Sequence, residues 1–219
     1  MSGNVKDAAV RSTSKAPTKR DGQAKATRAR IIGAAGDLFV RRGYAATTLD
    51  QIAAAAGVAV QTVYFHFANK RTILKEVVDV ASVGDDLPVP PLERPWVRQL
   101  GTEPDAHEVV GICIRNSRVN FERVAPIMTI VRDAAANDPD MAAQWEVDAQ
   151  QRLTAHRVLA QRLGDLQALR PRLSVEEATD IIYALISLEL YILLTTERGW
   201  TPAHWECWVN DIVTGAVLH

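Results

Sequence analysis

Thr47-Thr48-Leu49-Asp50-Gln51-Ile52-Ala53-Ala54-Ala55-Ala56-Gly57-Val58-Ala59-Val60-Gln61-Thr62-Val63-Tyr64-Phe65-His66-Phe67 decides the fold of this chain. Thr48 and Gln51 stand three apart, the spacing of a capping box in which each side chain satisfies the other residue's orphan amide at a helix start. The helix that follows carries Leu49, Ile52, Ala53 and Ala56 on one face. Gly57 then supplies the backbone freedom for a sharp turn into a second helix. Two short helices joined by a tight glycine turn form a helix-turn-helix.

Working outward, residues 25–42 predict a helix with Ile31, Ala34, Ala35, Leu38 and Phe39 at spacings of three and four, ended by Gly43. Gly33 and Gly36 each cost that helix about 1 kcal/mol against Ala and are expected to allow close packing. Asn69 is an N-cap for a helix from residue 70 toward Gly84, and the four prolines in residues 85–95 mark a connection. Beyond it, Pro104 is expected to open a helix to about residue 121 and Pro126 another to about residue 136. Asp138-Pro139 caps and starts a third, reaching about residue 164. Ser174 and Glu177 form a second capping box for a helix through residue 197, stopped by Gly199. Thr201-Pro202 starts the last helix, with Trp205, Trp208, Val209, Ile212 and Val213 on its apolar face. Strand alternation bounded by hairpin turns is missing, so the fold class is all-α.

At 219 residues and 47% apolar content the chain can bury one substantial core and a small satellite domain. Residues 1–26 hold no apolar run longer than Ala8-Ala9-Val10 and read as a flexible basic arm. They also lack the stretch of about 7 to 15 apolar residues of a secretory signal, so the expected location is cytoplasmic. The longest apolar run, residues 181–194, falls short of the roughly 20 residues that cross a bilayer, so it is expected to be a buried helix and no membrane is expected as a partner. Cys113 and Cys207 are expected to be free thiols that behave as small buried hydrophobes.

The net charge of −1 hides a division. Up to Lys75 there are 13 Lys and Arg against four Asp; the remainder has 12 Arg against 22 acids. Binding to nucleic acid follows local clustering of cations rather than the total, so the amino-terminal part is suited to DNA and the acidic part needs another job.

A recognition helix over about residues 59–65 exposes Val60, Gln61, Thr62, Tyr64 and His66 between the buried Val58, Val63 and Phe67. Gln pairs with adenine N6 and N7, Thr offers a hydroxyl or a methyl, and Val60 packs on a thymine methyl. Tyr64, His66 and Lys70 sit where the helix meets the strand backbone, and Thr47, Thr48 and Arg28 can approach phosphates or the minor groove. Thr48 serves equally as a plain cap, and His66 as a plain interhelix hydrogen bond. Because Tyr64 and Phe65 are adjacent, one is expected to face the core, and Tyr64 is expected to face out.

Thr27-Arg28, Ile31, Ala34-Ala35, Leu38-Phe39, Gly43-Tyr44, Thr47-Thr48, Ile52-Ala53, Ala56-Gly57-Val58, Thr62-Val63-Tyr64, His66-Phe67, Lys70 and Leu74 together resemble the amino-terminal domain of TetR-family transcriptional regulators. The chain departs from that family at Ala59, where Ser or Thr usually caps the recognition helix. The resemblance implies an all-α homodimer. It would divide into an arm (residues 1–26), a three-helix helix-turn-helix DNA-binding domain (27–75) and a carboxy-terminal helical domain for effector binding and dimerisation (76–219). It further implies a repressor released from a pseudo-palindromic, double-stranded DNA operator by a small-molecule effector. The alternative is a transcriptional activator or an effector-independent DNA binder. By position, the helices from about Pro139 and Ser174 would form the dimer interface, with Leu153, Leu159, Leu163, Ile181, Leu185, Leu188 and Ile192 as core candidates.

For the effector pocket the candidates are Trp96, Phe121, Met128, Trp145, Glu189 and Tyr191, large walls with one carboxylate, although an ordinary core holds such aromatic residues too. Glu189 must pair with Arg115 or Arg118, meet a cationic effector, or lie at an exposed edge. An enzyme is not expected, since no Gly-rich phosphate loop, Gly-x-Ser-x-Gly or His-Glu-x-x-His is present. His204 and Cys207 have the spacing of half a zinc site without the other ligands, so no metal and no cofactor are expected.

Overall fold

The computed structural model describes residues 19–83, 95–136 and 138–219, and the described residues are helical apart from one isolated bridge between Leu169 and Leu218. Helix α1 (Lys19–Arg42) begins six residues before the expected start. Residues 22–26 are exposed and carry no apolar stripe, so periodicity could not detect a helix that Gln23, Ala24 and Lys25 favour by propensity alone. Residues 19–26 are therefore helix and not flexible arm; the rest of the arm, and residues 84–94 of the proline-rich connection, lie outside the described residues.

Ile31, Ile32, Ala35, Leu38 and Phe39 are the buried face of α1, and Gly43, at φ 82°, ends the helix in a left-handed turn. Helix α2 (Leu49–Ala56) opens on the expected capping box: the Thr48 hydroxyl accepts from the Gln51 N–H at 3.3 Å and the Gln51 side chain accepts from the Thr48 N–H at 3.1 Å. Gly57, at φ 65°, turns the chain, and the Val58 N–H donates back to the Ala53 carbonyl at 3.0 Å. Helix α3 (Val60–His66) follows two residues later. Helix α4 (Lys70–Val83) is capped by Asn69, whose side-chain oxygen accepts from the Thr72 N–H at 2.9 Å. Ile52, Val63, Phe67, Ile73 and Leu74 join Ile31 and Phe39 in one core in which every member is nearly fully buried. Each contributes about 1.5–3 kcal/mol of burial, and truncating Ile52 to Ala would cost roughly 2–5 kcal/mol. Gly36 meets the expectation of close packing, because a Cβ there would lie 3.2 Å from Val77 Cγ1 of α4; Gly33 has open space around it.

Helix α5 (Pro95–Thr102) leads to α6 (Ala106–Ala135), the central helix, which packs against α1, α4, α5, α7 and α10. The sequence predicts two helices here and the structure has one. Asp105, not Pro104, is its cap, accepting from the His107 N–H at 2.9 Å. Pro126 lies inside the helix at the cost of one backbone hydrogen bond, a cost offset by the continuous buried ridge of Phe121, Val124, Ile127, Met128 and Val131. Helix α7 (Pro139–Asp165) starts at the expected cap, with the Asp138 carboxylate accepting from the Met141 N–H at 3.4 Å.

The Ser174–Glu177 capping box opens α8 (Val175–Leu185), but the helix does not continue to residue 197. Ile186 leaves helical geometry at ψ 58°, and Ser187 caps a new helix, α9 (Leu188–Ile192), by accepting from the Leu190 N–H at 3.2 Å. A π-helical turn (Leu193–Glu197) follows before Gly199, at φ 70°, and α10 (Pro202–Val217). Ser187 is itself a capping residue inside an apolar run, the signal that periodicity outweighed. The stretch Val175–Glu197 is long and apolar enough to cross a membrane by composition alone, yet the break falls inside it, where a lipid-exposed helix would leave backbone groups unsatisfied. Only a third of its most apolar window is buried within the protomer.

Three further expectations are corrected. Cys113 is buried, and that burial pushes its thiol up to about 12, but Cys207 is exposed. Of the apolar face expected on the last helix, Trp205, Val209 and Val213 are buried, whereas Ile212 is 39% exposed and Trp208 half-buried. Leu159, Leu163 and Leu188, expected at a dimer seam, are sealed inside the protomer.

Candidate nucleic-acid interface

Helix α3 is short, and its buried ridge is narrow. Val63 and Phe67, four apart, turn inward, which leaves Gln61, Tyr64 and Phe65 exposed and Val60, Thr62 and His66 partly so. Tyr64 is 58% and Phe65 84% exposed. Both aromatic neighbours therefore face out, which corrects the expectation that one would be buried. Phe65 is the exposed residue of this face that sequence reasoning missed. Its signal was the spacing, since a seven-residue helix that buries positions 63 and 67 cannot also bury 65. A nearly bare phenyl ring next to Tyr64, packed edge-on against the His66 ring at 5.2 Å, is an unusual surface for a residue type normally held inside.

Beneath this face lie three side chains expected to touch DNA that the structure uses internally. Thr47 is fully buried and its hydroxyl donates to the Gly43 carbonyl at 2.9 Å, so it joins α2 to the end of α1 and cannot meet a phosphate. Lys70 Nζ donates to the carbonyls of Tyr44 at 2.7 Å and Thr47 at 2.8 Å and lies 4.3 Å from the centre of the Tyr44 ring. Burial holds the Lys70 pKa below the ordinary lysine value. Arg28 donates to the His66 carbonyl at 3.0 Å and to the Glu76 carboxylate, with its guanidinium 4.4 Å from the centre of the Phe67 ring. Both cations brace the domain: Arg28 ties α1 to the end of α3, and Lys70 ties α4 to the loop before α2. Burial raises the Tyr44 pKa, with the Asp138 charge adding and the Arg71 charge opposing. Thr48 remains exposed, so its hydroxyl proton can still reach a phosphate while its oxygen caps α2. Arg30 is exposed on α1.

The expected effector residues fall into two groups joined by α9. Phe121, Tyr191 and Trp205 pack as a buried aromatic trio with centroids 5.2–5.6 Å apart, and the Trp205 indole N–H has no acceptor among the described residues. Burial raises the Tyr191 pKa. Met128, Trp145 and Glu189 line a crevice between α6, α7 and α9, closed in by Leu188 and Ile192. Glu189 is exposed and pairs with neither expected arginine: Arg115 binds Glu108, and Arg118 binds Glu122 and Glu206. Trp96 stands apart on α5, half-buried against the core.

The profile of a family described as bacterial regulatory proteins, tetR family, matches residues 31–77, the segment that builds this face. This segment carries a helix-turn-helix domain of the TetR family. TtgW of Pseudomonas putida, described as an uncharacterized HTH-type transcriptional regulator, is 42% identical over 81 residues, 36% of this chain and 60% of TtgW. The HTH-type transcriptional regulator SrpR of Pseudomonas putida is 41% identical over 81 residues, 36% of this chain and 38% of SrpR. These matches thus span less than two thirds of either relative. The fold is shared along most of the chain with SmeT of Stenotrophomonas maltophilia in complex with triclosan: TM-score 0.70, 23% identity, 89% of this chain and 92% of SmeT.

Ala59 caps α3 in extended geometry (φ −69°, ψ 147°) without a side-chain hydrogen bond, the departure seen in the sequence. His204 stacks flat on Trp200 with centroids 3.9 Å apart, and the described residues contain no group of three side chains able to hold a metal.

Proposed function

We propose that this chain is a cytoplasmic transcriptional repressor of the TetR family that binds a pseudo-palindromic operator as a homodimer and is released by a small-molecule effector. The observation that carries this reading is the outward face of α3. Gln61, Thr62, Tyr64 and Phe65 project from a helix whose end Arg28 ties to α1, while Lys70 ties α4 to the loop before α2, so that base-reading groups stand on a rigid support. Gln61, Thr62 and Val60 would read base edges; Thr48, Tyr64 and His66 would hold the strand backbone; Phe65 would pack on a thymine methyl or sugar.

Dimerisation would use α8 and α10 rather than α7 and α8. The contacts His156–Tyr183 and Arg157–Glu176 place α7 on one flank of α8, which leaves Ile181, Ala184 and Leu185 on the other flank beside α10. There Trp208 and Ile212 continue the same partly exposed apolar surface. A two-fold axis through it would bury what the protomer leaves uncovered. The effector would enter by displacing α9, a five-residue helix bounded by the Ile186 break and the π-helical turn, to join the crevice at Met128 and Trp145 to the aromatic trio. Such walls suit an apolar aromatic effector, and SmeT, a repressor of a multidrug efflux pump, is seen with triclosan.

Selection from a random duplex pool by the purified protein tests the reading. An inverted repeat with half-sites roughly 34–36 Å apart is expected to be enriched. Ile212→Asp should yield folded monomers by sedimentation that no longer shift the enriched site. Absence of any enriched sequence would refute the function, and a dimeric Ile212→Asp protein the interface.

A further inference from the structure

A cleft of about 340 Å3 opens where α1, α4 and α6 meet, apart from both α3 and the crevice behind α9. Its floor is apolar. Val77 and Ile127 are buried there, with Val40, Ala81 and Pro126 around them. Gly36 brings α1 hard against Val77, which closes the cleft at its base. Its rim carries two cations, Arg41 of α1 and Arg123 of α6, and one acid, Asp37.

The two cations stand over this floor without acidic partners among the described residues. Elsewhere on α6, Arg115 binds Glu108 and Arg118 binds Glu122 and Glu206. Neither Arg41 nor Arg123 meets a carboxylate among the described residues; Arg41 Nε donates only to the Asp37 backbone carbonyl, at 3.2 Å. Two guanidiniums without carboxylates over an apolar floor, in a volume within the roughly 300–1,000 Å3 of small-molecule sites, define a ligand chemistry.

We infer that this junction cleft is a second ligand site, one that takes a small organic acid with an apolar body. The carboxylate lies against Arg41 and Arg123 and the body rests on Val77 and Ile127. Because its walls come from α1 and α4, which carry the DNA face, and from α6, the spine of the other half, an occupant sets the angle between them. By linkage, such an acid and DNA change each other's affinity by the same factor. That consequence rests on the DNA-binding reading; occupancy of the cleft does not.

Calorimetric titration of the full-length protein with 1-naphthoate, without DNA, tests it, with 1-naphthalenemethanol as the uncharged control. Saturable binding at one acid per chain is expected, at least about tenfold weaker for Arg123→Gln and for Arg41→Gln, as loss of a charge-assisted hydrogen bond implies. The alcohol should bind about as weakly as the acid binds those variants, Asp37→Asn should bind the acid more tightly, and Arg123→Lys should recover part of the affinity. These side chains are exposed, and melting curves confirm that each variant folds. Lack of binding at millimolar acid, or binding that both arginine variants retain in full, overturns the site. Operator binding measured without acid reports on the DNA face alone, so a chain that binds naphthoate here but no DNA keeps the cleft and loses the repressor reading. An operator affinity unmoved by saturating naphthoate overturns the coupling.

Discussion

Lys70 grips Tyr44 twice: its ammonium donates to the Tyr44 carbonyl at 2.7 Å and sits 4.3 Å from the centre of that residue's ring. A third contact, to the Thr47 carbonyl at 2.8 Å, ties the start of α4 to the entry of α2. A lysine so engaged spends its donors on its own backbone. Lys70→Met is therefore expected to destabilise the protein by on the order of 1–2 kcal/mol, because carbonyls are left without a donor. It should also weaken DNA binding while leaving the slope of log affinity against log salt unchanged. A slope reduced by about one would show instead that Lys70 neutralises a phosphate.

Phe65 contributes almost nothing to the protomer's core. Phe65→Ala should shift stability by no more than about 0.5 kcal/mol, as exposed substitutions do. Operator binding should nevertheless fall by about tenfold or more. Paired melting and mobility-shift measurements check this, and full affinity in the variant would remove Phe65 from the interface.

The missing cap of α3 can be restored. Ala59 already has the extended backbone of an N-cap, so Ala59→Ser needs no rearrangement for its hydroxyl to accept from an amide of the first turn. A gain of about 1 kcal/mol is expected, which for a chain of this size raises the melting temperature by roughly 2–4 °C. An unchanged or lower melting temperature would mean that α3 has no free amide to satisfy.

His156 is buried on α7 against the Tyr183 ring, its Nδ1 without a partner among the described residues. Burial, with the Arg152 charge second, lowers its pKa from 6.5 to about 4. In the unfolded chain the imidazole titrates near 6.5, so between these values the unfolded state binds the additional proton. The neutral ring's contribution is complete above pH 6.5 and is lost as pH falls through about 4, a loss of about 3 kcal/mol. His156→Phe keeps an edge-on ring and cannot titrate. Urea unfolding at pH 7 and at acid pH should show a smaller decline for the variant; identical declines would mean that other groups carry the acid sensitivity.

Local chemistry explains which elements were legible. The boxes Thr48–Gln51 and Ser174–Glu177, the caps Asn69, Asp138 and Thr201, and the turn at Gly57 each depend on residues within five positions, and each stands where the sequence places it. Pro126 and Ser187 misled in opposite directions, because whether a helix survives a proline or breaks at a serine depends on packing from elsewhere in the chain. The site divides in the same way. Exposure of Gln61 and Tyr64 follows from the ridge of Val63 and Phe67, but the partners of Arg28 and Lys70 do not, since Glu76 and Tyr44 lie tens of residues from the cations they engage.

By itself the sequence determined an all-helical chain with a TetR-family helix-turn-helix, because capping, glycine turns and apolar periodicity act over a few residues. Tertiary structure alone decided which cations tie the amino-terminal helices together and which meet no described carboxylate at the α1–α4–α6 cleft, and that Phe65 would be bare. A side chain's partners are set by the distances between helices that meet only when the chain is folded.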